Sequence, residues 1–170
     1  NSKIAAENAI RDSGINHVVF RFFNLAGADP DGEMGEDHQP ETHMIPLLFQ
    51  NKDDFTINGN NYQTKDGTCI RDYVHVSDVA DAHLLAMNHF NTWKQGQTAT
   101  INLGSGVGYS NLEIVNLAKE VLGLDIKYKF GHRRHGDPSM LVANIDHAKS
   151  LLGYKPKYDI SDILKTAYSW

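Results

Sequence analysis

The segment Thr98–Gly123 has the sequence TATINLGSGVGYSNLEIVNLAKEVLG and gives the clearest indication of the fold class. Its first seven residues predict a β-strand, and Leu112–Leu122 predicts an amphipathic helix that ends at Gly123. Three glycines, at positions 104, 106 and 108, lie between the strand and the helix. A strand followed by a glycine turn and a helix is the building unit of α/β proteins.

The glycine turn raises the question of a dinucleotide-binding loop. The fingerprint of that loop is G-x-G-x-x-G, but Tyr109 stands where the third glycine belongs. The acidic residue expected about 20 positions later would be Asp125, which begins a strand instead of ending one. The spacing therefore argues against a dinucleotide loop. It favours a turn before a helix that is capped by Ser110 and Glu113 in a capping box.

Strands and helices alternate on both sides of this unit. His17–Asn24 is so apolar that it predicts a central strand of a sheet. Ser77 is a candidate N-cap for a helix that places Ala80, Leu84 and Met87 on one face. Further elements are expected at 4–12 (helix), 44–51 (helix), 55–59 (strand), 69–76 (strand) and 125–130 (strand), with a long acidic loop at 25–43. This order predicts the α/β class.

Composition narrows the classes of protein. The chain has 170 residues, 41% of them hydrophobic, which suits one domain with a buried core. Its formal charge is −5 with no basic stripe, so we expect no nucleic-acid partner. Its apolar runs fall short of the roughly 20 residues that cross a bilayer, and no apolar signal core opens the sequence. A single cysteine, Cys69, excludes an internal disulfide and favours a cytoplasmic location.

One histidine pattern invites a metal interpretation. His132-x-x-His135 lies close to Asp137, but Arg133 and Arg134 stand between the histidines. Their positive charge opposes a bound cation. We therefore predict no metal site.

Polar side chains at strand ends and in loops are the candidate ligands. Asn24 ends the first apolar strand, where α/β folds present binding groups, although it could be a simple strand terminator. Arg71, Tyr73 and His75 share one side of their strand, so Arg71 is either an anion ligand beside a hydroxyl donor or half of a surface salt bridge. The loop GHRRHGD, ending at Asp137, offers two arginines suited to phosphate oxygens. Together these groups suggest a diphosphate or a similar polyanion.

Five stretches in order along the chain carry a family resemblance: NSKIAAE, RFFNLAGADPDGEMGED, NGNNYQTKDGTCIRDYVHVSDVADAH, INLGSGVGYS and RRHGDPSMLVAN. They resemble the UDP-glucose 4-epimerases, which are extended short-chain dehydrogenases/reductases. In that family the catalytic pair is Tyr-x-x-x-Lys, and Lys3 matches its lysine. The tyrosine would fall before Asn1, so the resemblance implies the carboxy-terminal half of such an enzyme, inactive in this form.

The resemblance implies roles for particular residues. Lys3 would be catalytic and would also hold the nicotinamide ribose of NAD, with Phe22 near the nicotinamide. Asn24 would bind the sugar or diphosphate, and Arg71 and Arg134 would grip the phosphates. Asp137 would bind the uridine ribose, and Thr56 and Asn58 would flank a strand whose backbone edge meets the uracil. The remaining residues of the implied substrate site are His43, Met44, Tyr73, Val107 and Leu141.

Leu141 matches the position that limits substituents at the sugar C2 in this family. A leucine there would admit UDP-glucose and UDP-galactose readily and their N-acetylated counterparts more slowly, unless Leu141 is ordinary core.

The implied fold is the last part of a Rossmann-type domain plus a smaller mixed α/β substrate-binding domain. Residues 1–24 would be the edge of the NAD-binding domain and 25–170 the UDP-sugar domain, with 70–90 packing back on the former. The full-length protein would be an NAD-dependent isomerase of galactose metabolism and a homodimer. Two alternatives stay open: another nucleotide-sugar enzyme, such as a UDP-N-acetylglucosamine 4-epimerase, a UDP-glucuronate decarboxylase or a sugar dehydratase, or a non-catalytic nucleotide-sugar-binding module.

Overall fold

A computed structural model describes residues 2–90 and 92–170, which form a mixed α/β fold. The helices are α1 (Ser2–Asp12), α2 (Met44–Gln50), α3 (Val76–Phe90), α4 (Asn111–Leu122), α5 (Asp146–Leu152) and α6 (Ile160–Ser169). The strands are β1 (His17–Phe22), β2 (Asn24–Ala26), β3 (Phe55–Asn58), β4 (Ile70–His75), β5 (Thr98–Leu103), β6 (Gly108–Ser110), β7 (Tyr128–Gly131) and β8 (Met140–Leu141).

The strands form three small groups. β1 pairs in parallel with β5, and β3 pairs in parallel with β7. In the third group β4 pairs with three strands: it runs parallel to β2 and β8 and antiparallel to β6. Because β2 and β6 flank β4, residues far apart in the sequence meet around this one strand.

β4 also separates two hydrophobic cores, because successive side chains of a strand point to opposite faces. Tyr73 belongs to a core built with α2, β3, α4 and α6, whereas Val74 belongs to a core built with α3, β5 and α5. Both side chains are almost fully buried. The strand that carries Arg71 is therefore held rigidly from both sides.

The helix of the segment Thr98–Gly123 forms as its sequence indicates, although a short strand, β6, precedes it. The hydroxyl of Ser110 accepts from the Glu113 N–H at 3.1 Å, and the Glu113 carboxylate accepts from the Ser110 N–H at 2.8 Å. Gly123 ends α4 with a φ of +65°, the left-handed conformation that glycine adopts without a Cβ penalty. The predicted capping box and helix end are confirmed.

One prediction about helix α3 needs correction. The helix begins at Val76, directly after β4, so Ser77 is not its N-cap; the Ser77 N–H instead donates to Nδ1 of His75 at 3.1 Å. Ala80, Leu84 and Met87 do share a face, but that face is exposed. The buried face carries Val79, Ala82 and Ala86, whose small side chains allow close packing.

The first strand also differs from its prediction. β1 was expected to be central, yet within residues 2–90 and 92–170 it pairs with β5 alone and its side chains are half-buried or exposed. Asn24 does not end this strand but begins β2, because the chain shifts at Phe23 to a new partner, β4. In the part of the chain that the structure describes, no helix combines the length and apolarity needed to cross a membrane.

Candidate functional site

A cavity of about 270 Å³, here called the polar cavity, lies between α2, β3, β4 and the loop after β7. Nine of the predicted substrate-site residues line it, which are Asn24, His43, Met44, Thr56, Asn58, Arg71, Tyr73, Arg134 and Asp137. The structure thus brings together side chains from five separate stretches of sequence.

Arg71 is held in place at the wall of this cavity. Its Nη1 donates to the backbone oxygens of Ile70 at 2.8 Å and Pro138 at 2.9 Å. Its Nη2 lies 3.4 Å from Oδ1 of Asp137, and only 13% of the side chain is exposed. The guanidinium is therefore preorganised, with further N–H groups still available to an anion.

Arg134 reaches the same cavity, whereas its neighbour Arg133 does not line it. With the Asn58 amide oxygen turned toward Arg134, that oxygen accepts from Nη2 at 2.9 Å and from Nε at 3.1 Å. Arg133 instead lies over the ring of Tyr62, 4.1 Å from its centroid. The two adjacent arginines thus have different partners, and only Arg134 is placed to meet a ligand in the cavity.

Two groups that line the polar cavity, the Tyr73 phenol and the Cys69 thiol, are neutral. The Tyr73 hydroxyl donates to Sδ of Met44 at 3.2 Å, and burial raises the pKa of this phenol well above its usual value. Burial likewise raises the pKa of the Cys69 thiol, whose Sγ accepts from Nδ2 of Asn111 at 3.2 Å. The lining also carries two arginines, Arg71 and Arg134, against one carboxylate, Asp137, and this excess of positive charge suits an anionic ligand.

A second, larger cavity of about 690 Å³, here called the wide cavity, adjoins the first. It lies between β2, the loop after β2 and the start of α3, and its lining shares Asn24 and His43 with the polar cavity. Nδ2 of Asn24 donates to the backbone oxygen of Asp72 at 3.0 Å, which fixes the amide between the two spaces. A ligand with two parts could therefore place one part in each cavity.

The glycine turn is held by Asp72, a fully buried carboxylate. This side chain accepts from the backbone N–H groups of Ser105 (2.7 Å), Gly106 (2.9 Å) and Ala143 (3.1 Å), and from the Ser105 hydroxyl (2.8 Å). The amides of Ser105 and Gly106 are thus engaged inside the protein. As the glycine spacing indicated, this turn does not present them to a phosphate.

Two predicted substrate residues stand apart from the polar cavity's lining. Val107 is 50% exposed at the glycine turn, and Leu141 is 48% exposed on β8, where its Cα pairs with that of Arg71. Leu141 is therefore not part of either hydrophobic core of the described residues.

The two predicted cofactor residues lie elsewhere again. Lys3 is exposed on α1, and Phe22 is 49% exposed at the end of β1, where its ring stacks on His83. An ion pair between Arg21 and Glu7, 2.6 Å apart, joins α1 to β1. The exposed side chains of Lys3 and Phe22 are accessible to a ligand.

Sequence reasoning missed several lining residues. The polar cavity is also lined by Thr42, Leu47, Phe55, Ile57, Cys69 and Asn111. Most belong to elements whose periodicity predicts core, so no pattern marked them as ligand contacts. For Asn111 the signal available was its place at the first turn of a helix beside the glycine turn.

The sequence profile of the NAD dependent epimerase/dehydratase family matches residues 2–104. This chain belongs to that family. A UDP-glucose 4-epimerase of Lactobacillus helveticus is 48% identical over 167 residues, which are 95% of this chain and 50% of the relative. The chain thus spans about half the length of the curated relatives that it matches.

Solved structures of the family have the same fold. The UDP-glucose 4-epimerase of Brucella ovis in complex with NAD superposes with a TM-score of 0.90 at 40% identity, covering 98% of this chain and 53% of that one. The enzyme of Bifidobacterium longum in complex with NAD+ and UDP gives 0.88 at 30% identity, covering 99% and 51%. The predicted family and the mixed α/β fold are confirmed.

Proposed function

We propose that this chain is the substrate-binding, carboxy-terminal part of an NAD-dependent UDP-glucose 4-epimerase. The observation that carries the proposal is the polar cavity, in which Arg71 and Arg134 meet Asn58, Asp137 and Asn24. Two arginines with polar neighbours suit a diphosphate attached to a nucleoside and a sugar. The similarity to UDP-glucose 4-epimerases over nearly the whole chain supports the same assignment.

The residues would divide the substrate between the two cavities. Arg71 and Arg134 would bind the diphosphate, Asp137 the ribose, and β3 with Thr56 and Asn58 would flank the uracil. Asn24 and His43, which line both cavities, would lie where the diphosphate joins the sugar. The wide cavity is then the space for the sugar.

The exposed pair Lys3 and Phe22 fits a cofactor that approaches from outside this chain. NAD, when bound, would supply the hydride-transfer chemistry. Lys3 would donate to the nicotinamide ribose and, through its positive charge, lower the pKa of the catalytic tyrosine. The exposed apolar face of α3, with Leu84 and Met87, would pack on the NAD-binding domain. Three further points stay predictions: that residues 1–24 are the edge of the NAD-binding domain, that the full-length protein is a homodimer, and that it is cytoplasmic.

The test compares the complete protein with the 170-residue chain. We expect the complete protein to interconvert UDP-galactose and UDP-glucose in a coupled assay, and the chain alone to show no turnover. Lys3→Met in the complete protein should lower kcat strongly and leave UDP affinity unchanged, since Lys3 lies outside both cavities' linings. A complete protein that binds UDP but does not interconvert the two sugars would establish the non-catalytic binding module instead.

A further inference from the structure

Four potential metal ligands converge in the loop between β2 and α2. Glu36, His38, Glu41 and His43 each contribute one nitrogen or oxygen atom, and these four atoms lie within 4.8 Å of one another. Nδ1 of His43 is 2.6 Å from Glu36 and 3.1 Å from Glu41, and Nδ1 of His38 is 3.8 Å from Glu41. We call these residues the loop cluster.

The charge around the loop cluster favours a cation. Residues 24–51 contain no Lys or Arg, and their acidic side chains are Asp29, Asp31, Glu33, Glu36, Asp37 and Glu41. The local charge is opposite at the pair His132 and His135, because two arginines lie between those histidines.

Glu41 is already oriented as a ligand. Only 5% of its side chain is exposed, and its Oε1 accepts from the backbone N–H groups of Thr42 and His43, each at 2.6 Å. These two hydrogen bonds hold the carboxylate group of Glu41 in a fixed position beside the other three side chains.

We propose that the loop cluster binds one divalent transition-metal ion, with Zn²⁺ as the type, through two imidazole nitrogens and two carboxylate oxygens. Bonds of about 2.0–2.2 Å in a tetrahedral site hold ligand atoms about 3.3 Å apart. His43 and Glu36 would separate slightly from their present contact, and the wider pairs would close. Metal binding at Nδ1 of His43 requires the neutral ring with its proton on Nε2, so a neutral ring would release the Nδ1 proton to solvent and take one up at Nε2.

The site would fasten the loop to the start of α2. His43 precedes the first residue of that helix and lines both cavities, while Glu36 lines the wide cavity. A bound metal would therefore fix one wall of each cavity. The proposal does not depend on the proposed function, because the metal's ligands all lie in this loop and binding is measured without nucleotide.

The experiment titrates tag-free 170-residue chain with Zn²⁺ in a calorimeter, together with Co²⁺ as a spectroscopic substitute. We expect one ion per chain, visible Co²⁺ absorption bands of the intensity typical of tetrahedral sites, and a higher Tm with Zn²⁺. His38→Gln and Glu36→Gln each remove one ligand and should weaken binding about 10–100-fold, at least as much as loss of an outer-shell partner does. The matched control is His135→Gln, an exposed histidine outside the cluster, which should bind as the parent does.

Circular dichroism shows whether each variant is folded. If either His38→Gln or Glu36→Gln fails to fold, the other variant still tests the site. The proposal is overturned if Zn²⁺ does not bind saturably to the parent. It is also overturned if both His38→Gln and Glu36→Gln bind as the parent does, or if His135→Gln loses as much affinity as they do. In those cases the four side chains only hydrogen-bond to one another.

Discussion

Arg133 and Arg134 are adjacent in the sequence but have different environments. Arg133 stacks on Tyr62, and Arg134 hydrogen-bonds Asn58 at the polar cavity. This contrast provides a matched control for phosphate binding, because the same substitution at either position removes the same charge from the same loop.

We predict that Arg71→Ala in the complete protein weakens UDP binding by about 1.5–3 kcal/mol, the size of a charge-assisted hydrogen bond. Arg134→Ala should weaken it less, because Arg134 is more exposed and water screens its charge. Calorimetric titration with UDP is the measurement. Arg133→Ala should leave the affinity nearly unchanged, and equal losses at positions 133 and 134 would contradict the assignment of Arg134 to the phosphates.

Leu141 is the residue that we propose to limit the sugar C2 substituent, and its 48% exposure leaves room for a larger side chain. In the complete protein, Leu141→Tyr should lower turnover of UDP-N-acetylglucosamine far more than turnover of UDP-glucose, because only the larger substrate needs the space. The measurement is kcat/KM for both sugars. Equal losses, or a parent without N-acetyl activity, would show that Leu141 does not limit the substituent.

At the scale of elements, His75 connects β4 to α6 and to the start of α3. Its Nδ1 accepts from the Ser77 N–H, so the remaining proton is on Nε2, which lies 3.1 Å from Oγ1 of Thr166. The ring is fully buried and stacks on Tyr158 at 4.1 Å. Burial lowers the pKa of this imidazole, although the charges of Asp78, Asp162 and Asp29 partly offset the shift.

This arrangement predicts an acid-sensitive contribution to stability. Above the unfolded pKa of about 6.5, His75 is neutral in both states and the contribution is fully present. As the pH falls below that value, the unfolded state binds a proton that the folded state does not, so the free energy of unfolding decreases until the lowered folded pKa is reached.

Urea denaturation between pH 8 and pH 5 tests this, with a slope of at most about 1.4 kcal/mol per pH unit for one proton. His75→Gln should reduce the slope below pH 6.5, and the exposed His135→Gln should not. Identical slopes for His75→Gln and the parent would contradict the prediction.

Elements also show where sequence reasoning succeeds. The capping box of α4 was predictable because Ser110, Glu113 and Gly123 specify it locally. The strands β6 and β8 were missed because three and two residues carry no periodicity, and both exist only through pairing with β4. The exposure of Ala80, Leu84 and Met87 was not predictable, because helical spacing shows that residues share a face but not what covers it.

At the scale of the whole molecule, polar residues at strand ends predicted much of the candidate site. Strand alternation indicated Arg71, and a glycine-bounded loop indicated Arg133 and Arg134 with Asp137, whereas the choice of Arg134 between the two arginines came from the family resemblance. The role of Asp72 was not predictable, since its partners Ser105, Gly106 and Ala143 are more than 30 positions away. Local patterns reveal side chains that face a ligand, whereas internal supports depend on tertiary pairing.

The parallel pairing of β1 with β5 has a consequence for how this chain folds. Its register joins His17 to Thr98, and next to it the Gln97 N–H donates to Oδ1 of Asn16, 81 positions away. Closing so long a loop costs chain entropy before any contact compensates for it, and topologies with high contact order fold slowly. Helix α4 depends on local contacts, because its capping box joins Ser110 to Glu113, and it can form earlier. The amides of β1 should therefore be among the last to gain protection in a refolding experiment followed by pulsed hydrogen exchange.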